Sequence, residues 1–198
     1  MDPIDLTSLL GQTSIYLLTL NILLGLLMSA RYNPWTRWPH RRINLLKFHN
    51  WTAYLVLAVT LAHPIPLLFV QKPRFHVRDI LYPVSSPEQP LVNVLGAIAL
   101  YLLIFTVITS YFRAAIGRQR WKPLHYLTYV VAALSVVHGS ITDQHLNDSP
   151  VDLLDAEKLG IIACGLVVVV AATLRFRWTL RPPKFKPPLR QRMRRAGA

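Results

Sequence analysis

The sequence predicts an all-α integral membrane protein, built as a bundle of five transmembrane helices. Hydrophobic residues make up 53% of the 198 residues and charged residues only 16%, whereas a soluble domain of this size carries about a quarter charged residues. The charges fall in a few clusters, and the apolar runs between them are long enough to cross a bilayer. These observations predict a multi-pass protein of the cell (inner) membrane, surrounded by the lipid bilayer.

The apolar segments divide the chain into a membrane domain, residues 1–178, and a carboxyl-terminal tail, residues 179–198. The chain begins with an acidic pentapeptide where a cleaved signal peptide would be basic, so we expect the first segment to remain as a span. The tail is basic and contains two proline pairs, and we expect it to be disordered. The five predicted spans cover Leu6–Ala30, Ile43–Val70, Leu91–Phe112, Pro123–Ile141 and Leu159–Trp178.

The distribution of charge predicts the orientation of the bundle. The segments after spans one and three and the tail carry lysine and arginine without any acid, so they should be cytoplasmic. The amino terminus and the loop after span four are acidic, so they should lie outside. The loop over residues 71–90 is mildly basic and fits this orientation less well. Because the basic clusters flank spans, the net charge of +13 does not indicate a nucleic-acid partner.

Four histidines lie in two of the spans. His49 and His63 are 14 residues apart in span two, and His125 and His138 are 13 residues apart in span four. Since one span separates these two, they should be parallel, which places His49 level with His125 and His63 level with His138. The levels are about 20 Å apart at 1.5 Å per helical residue.

The helical phase of the four histidines predicts local irregularities. Fourteen residues return to within about 40° of the starting face, but thirteen leave a residual of about 140°. Span four should therefore be locally distorted, or the groups that its two histidines bind should approach it from different directions. In span two, Pro64 follows His63 and predicts a kink or helix end there. Apart from the two histidine-bearing spans, we expect no internal repeat.

Two levels of facing imidazoles suit haem better than other chemistry. A zinc site needs three or four ligands at one point, which pairs about 20 Å apart cannot supply. A proton relay needs carboxylates or water-binding groups between the levels, where these helices offer mainly leucine, valine and alanine. Haem needs one imidazole on each side of its iron and an apolar pocket. The alternative left open is a haem-free transporter or scaffold whose histidines are structural.

The sequence around these histidines resembles the transmembrane domain of ferric reductases and NADPH oxidases. Residues 121–129, Trp-Lys-Pro-Leu-His-Tyr-Leu-Thr-Tyr, are similar to the second haem-binding helix of that family, and residues 42–49, Arg-Ile-Asn-Leu-Leu-Lys-Phe-His, to the start of its first. The resemblance implies two b-type haems, an inner one bound by His49 and His125 and an outer one bound by His63 and His138. It also implies one-electron transfer from a cytosolic donor to an acceptor outside.

The printed sequence differs from the larger members of that family because it has no Gly-x-Gly-x-x-Gly fingerprint of a nicotinamide domain. We therefore expect electrons from a separate cytosolic flavoprotein reductase or from membrane quinol, with an external acceptor that the sequence does not name. The chain resembles the short bacterial members, including the haem-bearing partner of periplasmic methionine sulfoxide reductase. This likeness leaves open a single-haem, quinone-linked role, in which the outer histidines bind no haem.

Basic residues near the inner histidines are candidates to bind the haem propionates. The alternative is that they are ordinary positive-inside residues. On the outer side, Lys72 and Arg74 are weaker candidates. The loop over residues 71–90 is expected to be a plain extramembrane connection, with a cover over the opening of a site as the alternative. We expect no catalytic side chain, so the chain should be the electron-transfer component of an oxidoreductase. The candidates near the inner haem are Arg41, Arg42, Lys47 and Lys122.

Overall fold

The computed structural model describes residues 2–30, 44–143 and 155–179. These residues fold into helices joined by short turns, and no strand occurs among them. Arg41, Arg42 and residues 180–198 of the basic tail lie outside the described residues. The α-helices are α1 (Pro3–Ser29), α2 (Leu45–Ala62), α3 (Val77–Leu81), α4 (Pro90–Tyr111), α5 (Arg113–Ile116), α6 (Arg118–His125), α7 (Leu127–Ile141) and α8 (Ala156–Thr179).

Five helical segments are long and apolar enough to cross a membrane, as the sequence predicts. They are α1, α4 and α8, the segment Leu45–Phe69 that continues α2, and the segment Arg118–Ile141 that joins α6 to α7. Large apolar side chains cover the outward surfaces of these spans; Trp51 and Val169, for example, are 64% and 62% exposed. An apolar surface of this size is favourable in contact with lipid and unfavourable in contact with water. The all-helical, five-span prediction is therefore confirmed.

The ends of the first helix are fixed by polar contacts. Asp2 caps α1 and forms a capping box with Asp5, and Pro3 occupies the first turn, where its missing N–H is not needed. At the other end, Arg175 on α8 donates to the Ser29 carbonyl oxygen (2.7 Å) and to the Ser29 hydroxyl (3.1 Å). These contacts join the carboxyl ends of α1 and α8, which pack along each other.

Span two ends its α-helix at the expected position. The helix α2 stops at Ala62, His63 is its capping residue, and a 3-10 turn follows over Ile65–Phe69. Pro64 causes this change because it supplies no N–H and disfavours continuation of the helix. The His63 N–H still donates to the Val59 carbonyl oxygen (2.9 Å), so the ring remains on the face that the helix sets.

Span four is interrupted, which removes the phase problem of its two histidines. The helix α6 ends at His125 and α7 begins at Leu127, with Tyr126 between them. Pro123 lies inside α6 and supplies no N–H for the regular pattern. The Tyr129 N–H then donates to the Tyr126 carbonyl oxygen (3.1 Å), a tighter turn than in an α-helix. The predicted distortion is therefore confirmed, and it lies directly after His125.

The spans form a closed ring of four helices with a fifth on the outside. The helix α1 packs on α2, α2 on α4, α4 on α7, and α7 on α1, while α8 packs against α1 and α7. The histidine-bearing helices α2 and α7 therefore lie on one diagonal of the ring, and α1 and α4 lie on the other. Side chains that project inward from α2 and α7 meet at the centre of the bundle.

The connection over residues 71–89 folds back over one end of the ring. It contains α3 and a 3-10 turn, Pro83–Ser85, both packed on α4. Phe75 is only 5% exposed and Ser86 only 7%. Part of this connection is therefore buried against the bundle.

Candidate functional site: two facing histidine pairs

The four histidines meet as two pairs at the centre of the ring. The ring centroids of His49 and His125 are 6.2 Å apart with an interplanar angle of 76°, and those of His63 and His138 are 6.4 Å apart with an angle of 80°. The predicted partners and levels are therefore the ones that the structure brings together.

The spacing of each pair matches two imidazoles on opposite sides of one metal ion. A metal–imidazole nitrogen bond is about 2 Å long, and that nitrogen lies roughly 1 Å from the ring centroid, which gives centroids about 6 Å apart. Edge-to-face contact between two aromatic rings has a centroid separation in the same range. No group of three or more metal-ligating side chains occurs within the described ranges.

Three of the four rings have a defined tautomer. A carbonyl oxygen only accepts hydrogen bonds, so an Nδ1 atom beside one must carry the proton and leave Nε2 free to bind a metal. His49, His63 and His138 each place Nδ1 against the carbonyl oxygen of a neighbouring helix. The acceptors are Asn21 for His49 (3.1 Å), Thr7 for His63 (2.8 Å) and Val92 for His138 (2.8 Å).

A glycine four residues after each acceptor lets the ring approach. That glycine donates the helical hydrogen bond to the same carbonyl, and the absence of its side chain exposes the oxygen. A Cβ atom would lie 2.8 Å from His63 Cε1 at Gly11 and 2.9 Å from His138 Cε1 at Gly96. At Gly25 it would lie 3.4 Å from His49 Cε1, an ordinary contact. At all three glycines the group that approaches the helix is an imidazole.

The fourth ring has a different neighbour. The Ser110 hydroxyl lies 3.2 Å from His125 Nδ1 and accepts a hydrogen bond from the Trp121 indole N–H (3.3 Å). Ser110 follows Gly96 by fourteen residues, as Gly25 follows Gly11. The pair α1–α2 and the pair α4–α7 therefore share a pattern of small residues and histidines.

A cavity opens beside the His63–His138 pair. Both histidines line it, together with Gly11 and Gly96. Ser14 also lines it, and its buried hydroxyl has no hydrogen-bond partner in the described parts of the chain. The rim is formed by polar and apolar residues of the connection and helix ends, namely Phe75, Asp79, Pro83, Gln89, Asn93 and Asp143. The cavity at this level is therefore lined by glycines, by two facing imidazoles and by a hydroxyl without a partner in the described residues. Such a cavity could accommodate a bound group.

An apolar layer separates the two pairs. It is filled by one side chain from each helix of the ring, and two of them, Val56 and Val131, are only 1% exposed. Val56 is seven residues from both His49 and His63, about 10 Å along the helix in each direction. The layer contains Leu18, Val56, Leu103 and Val131.

Basic residues surround the His49–His125 end. Arg113 is half-buried and interacts electrostatically with both histidines, although the sequence did not single it out. Lys47 and Lys122 are exposed at the same end, and Lys122 Nζ lies 5.8 Å from the Tyr126 ring centroid. At the other end, Lys72 and Arg74 are exposed and do not line the cavity.

The fold and the site together define an integral membrane bundle that presents two facing histidine pairs along its axis. A model of the family described as ferric reductase-like transmembrane component matches residues 10–136. The match covers more than half of the chain and includes His49, His63 and His125, so the chain belongs to this family. No curated protein and no solved structure matches the chain. The family identifies a membrane electron-transfer component in general terms.

Proposed function

We propose that this protein carries electrons across the membrane through two bis-histidine b-type haems, as the membrane subunit of a ferric reductase-like oxidoreductase. The observation that carries the proposal is the equal separation of the rings, 6.2 Å and 6.4 Å, in two pairs at different depths. Both gaps would accommodate a metal ion bound by one imidazole nitrogen from each ring. An edge-to-face contact between two rings has a similar centroid separation, so a haem count distinguishes the two roles. The family match supports the same function.

The second-sphere contacts support iron binding by Nε2. Iron needs a neutral imidazole with one nitrogen bare, and a hydrogen bond from the other nitrogen holds the tautomer and the ring plane. The carbonyl oxygens beside His49, His63 and His138 provide this hydrogen bond. We assign the corresponding role at His125 to the Ser110 hydroxyl.

The apolar layer favours electron transfer over proton transfer. Haem, when bound, supplies reversible one-electron chemistry. Val56, Val131 and the other buried members of the layer are aliphatic and have no group that holds a proton, and a closely packed aliphatic layer excludes water. Electrons can tunnel through such a layer, whereas ions would have to be desolvated. The chain therefore suits a conduit better than a relay or a transporter.

The charge distribution supports a cytoplasmic position for the His49–His125 end. Arg113, Lys47 and Lys122 lie at that end, and basic residues concentrate on the cytoplasmic side of membrane proteins. In this orientation the amino terminus is outside and the carboxyl terminus is cytoplasmic. The donor would be a cytosolic flavoprotein reductase or membrane quinol. The external acceptor would meet the end that the connection over residues 71–89 covers.

The haem propionates of the inner haem need cationic partners. Lys47 and Lys122 remain our proposed partners, and we add Arg113 because it is half-buried beside both histidines. Arg41 and Arg42 stay candidates from the sequence alone. The cell (inner) membrane is the proposed location, because the sequence resembles the short bacterial members of the family.

The experiment is a haem count on purified protein. The pyridine haemochrome assay should give two b-type haems per chain, and His125→Ala or His138→Ala should each reduce the count to one. His76→Ala is the control, because His76 is an exposed histidine that pairs only with Asp79 in the described ranges (3.3 Å). It should leave both haems in place.

The alternatives predict different counts. One haem that is lost in His125→Ala but kept in His138→Ala would favour the single-haem, quinone-linked membrane partner of a periplasmic reductase. A protein that stays haem-free when it is produced with excess haem would reject electron transfer, and would favour a transporter or scaffold with structural histidines.

A further inference from the structure

The ligand His125 is held differently from the other three histidines. The other three donate to helix carbonyl oxygens made accessible by a glycine. At the equivalent position of α4 stands Ser110, whose side chain meets the imidazole instead of the backbone. Serine brings a hydroxyl that can accept one hydrogen bond from the histidine and a second from another donor.

The second donor is Trp121. Its indole N–H donates to Ser110 Oγ (3.3 Å), and its ring lies against the His125 imidazole with centroids 4.9 Å apart and an interplanar angle of 26°. Trp121 and His125 are four residues apart on α6, so they share one face of that helix. The tryptophan therefore contacts His125 directly and also contacts the hydroxyl that holds it.

A turn at Gly117 places this tryptophan. Gly117 has φ +82° and separates α5 from α6, a conformation that a side chain would strain. The chain reverses there and brings α6 back against α4, so that Trp121 reaches Ser110. The contact between Trp121 and Ser110 thus depends on α5, on the positive φ of Gly117 and on α6.

We propose that Ser110 and Trp121 are positioning residues that weaken His125 as a ligand and thereby raise the redox potential of its haem. The inference rests on the proposed function, because it requires that His125 binds haem iron. A hydroxyl oxygen that already accepts from an indole N–H is a poorer acceptor than a helix carbonyl. The distance from Nδ1 to its acceptor is 3.2 Å for His125 and 3.1 Å for His49 at the same level, and 2.8 Å for His63 and His138.

The sign follows from ligand basicity. A strong hydrogen bond from Nδ1–H makes the imidazole a stronger electron donor, which stabilises ferric iron. A weak one leaves the imidazole less basic, so the reduced iron is relatively favoured. Ser110→Ala removes the acceptor and should raise the potential further. Trp121→Phe keeps an aromatic ring but removes the competing N–H, so Ser110 accepts better from His125 and the potential should fall.

The experiment is a redox titration of the purified full chain, followed in the visible haem bands. His138→Ala identifies which of the two steps belongs to the His49–His125 haem. Ser110→Ala should shift that step upward and Trp121→Phe should shift it downward, while Ser110→Thr, which keeps the hydroxyl, should restore it. Thr106→Val is the matched control, since it removes a buried hydroxyl one turn away that donates only to the Leu102 carbonyl oxygen. The step of the other haem should not move in any variant.

Each outcome has a defined meaning. Shifts of opposite sign in Ser110→Ala and Trp121→Phe, absent in Thr106→Val, would support the proposal. Equal shifts in Ser110→Ala and Thr106→Val, or no shift in Ser110→Ala, would overturn it while leaving the two-haem function intact. A haem count that does not fall in His125→Ala would reject the proposed function and this inference together.

Discussion

The His49–His125 pair and the His63–His138 pair have nearly the same geometry but different surroundings. Their ring separations differ by only 0.2 Å, and their interplanar angles are 76° and 80°. Yet His63 and His138 lie beside a cavity with short hydrogen bonds to carbonyl oxygens, whereas His125 contacts a serine and a tryptophan. The comparison teaches that helix register sets the ligand spacing, while the neighbouring residues set the properties of each level.

The two levels also differ in how tightly their glycines fit. At the His63–His138 level a Cβ atom would come within 2.8 to 2.9 Å of an imidazole carbon, while at Gly25 the nearest imidazole carbon is 3.4 Å away. Real Cβ atoms tolerate the second distance and not the first. Glycine is therefore sterically required at Gly11 and Gly96, beside the His63–His138 pair, whereas the position of Gly25 beside His49 has room for a Cβ atom.

The largest expected effect comes from alanine at these glycines. Gly96→Ala would place a Cβ 3.0 Å from His138 Nε2, the atom we assign to iron, and push the ring out of line. Because the ring is also held by the Val92 carbonyl oxygen, it has little freedom to move aside. We expect the haem count to fall from two to one, measured by pyridine haemochrome.

Gly25→Ala is the matched control for this prediction. Both changes replace a glycine inside a transmembrane helix by alanine and raise helix propensity by a similar amount, about 1 kcal/mol. Only the contact with the imidazole differs. Loss of a haem in Gly25→Ala, or its retention in Gly96→Ala, would show that the difference between the two levels does not arise from these contacts.

The second prediction concerns the rim of the cavity. The Gln89 side-chain amide makes two hydrogen bonds with the Asp143 backbone, accepting from the N–H (2.8 Å) and donating to the carbonyl oxygen (2.9 Å). This clamp joins the start of α4 to the residues after α7. Gln89→Ala removes both bonds, which should cost about 1 to 3 kcal/mol at net values near 1 kcal/mol each.

Haem transfer to an acceptor protein measures this effect. We expect the His63–His138 haem to leave faster in Gln89→Ala, because the cavity rim opens more often, and the other haem to be unaffected. Ser85→Ala is the control, since Ser85 is an exposed residue of the same connection. Equal rates for the two variants would show that the clamp does not protect the haem.

Much of this arrangement was predictable from the sequence. Apolar length located the five spans, and the spacing of the histidines gave the partners and the levels. The phase argument also located an irregularity near His125, since thirteen residues cannot return to one face of a regular helix. These predictions succeeded because each depends on the order of residues along a single helix.

The second-sphere contacts were less predictable. A backbone carbonyl can accept from a histidine whatever its own side chain is, so Thr7, Asn21 and Val92 have nothing in common in the sequence. The glycine four residues later is a usable signal, and the matched spacing of Gly11–Gly25 and Gly96–Ser110 indicates it. The approach of Trp121 to Ser110 was hidden, because it depends on the turn at Gly117 and on packing between helices.

The smallest expected effect concerns charge at the His49–His125 level. Arg113 interacts electrostatically with both histidines, and a positive charge near haem favours the reduced, less positive iron. Arg113→Gln should therefore lower the potential of this haem in a redox titration and leave the other haem unchanged. The shift should be small and should shrink with added salt, because a half-exposed guanidinium is screened over about 10 Å at 0.1 M ionic strength.

Arg118→Gln is the control for Arg113→Gln, because it removes an equal charge from an exposed position a few residues away. If charge alone at that end of the bundle controlled the potential, the two variants would give the same shift. A larger shift for Arg113→Gln would assign the effect to its position beside the histidines. The apolar layer and about 20 Å of helix lie between Arg113 and the His63–His138 level. A change in the redox potential of the His63–His138 haem would therefore contradict the prediction that Arg113 affects only the nearer haem.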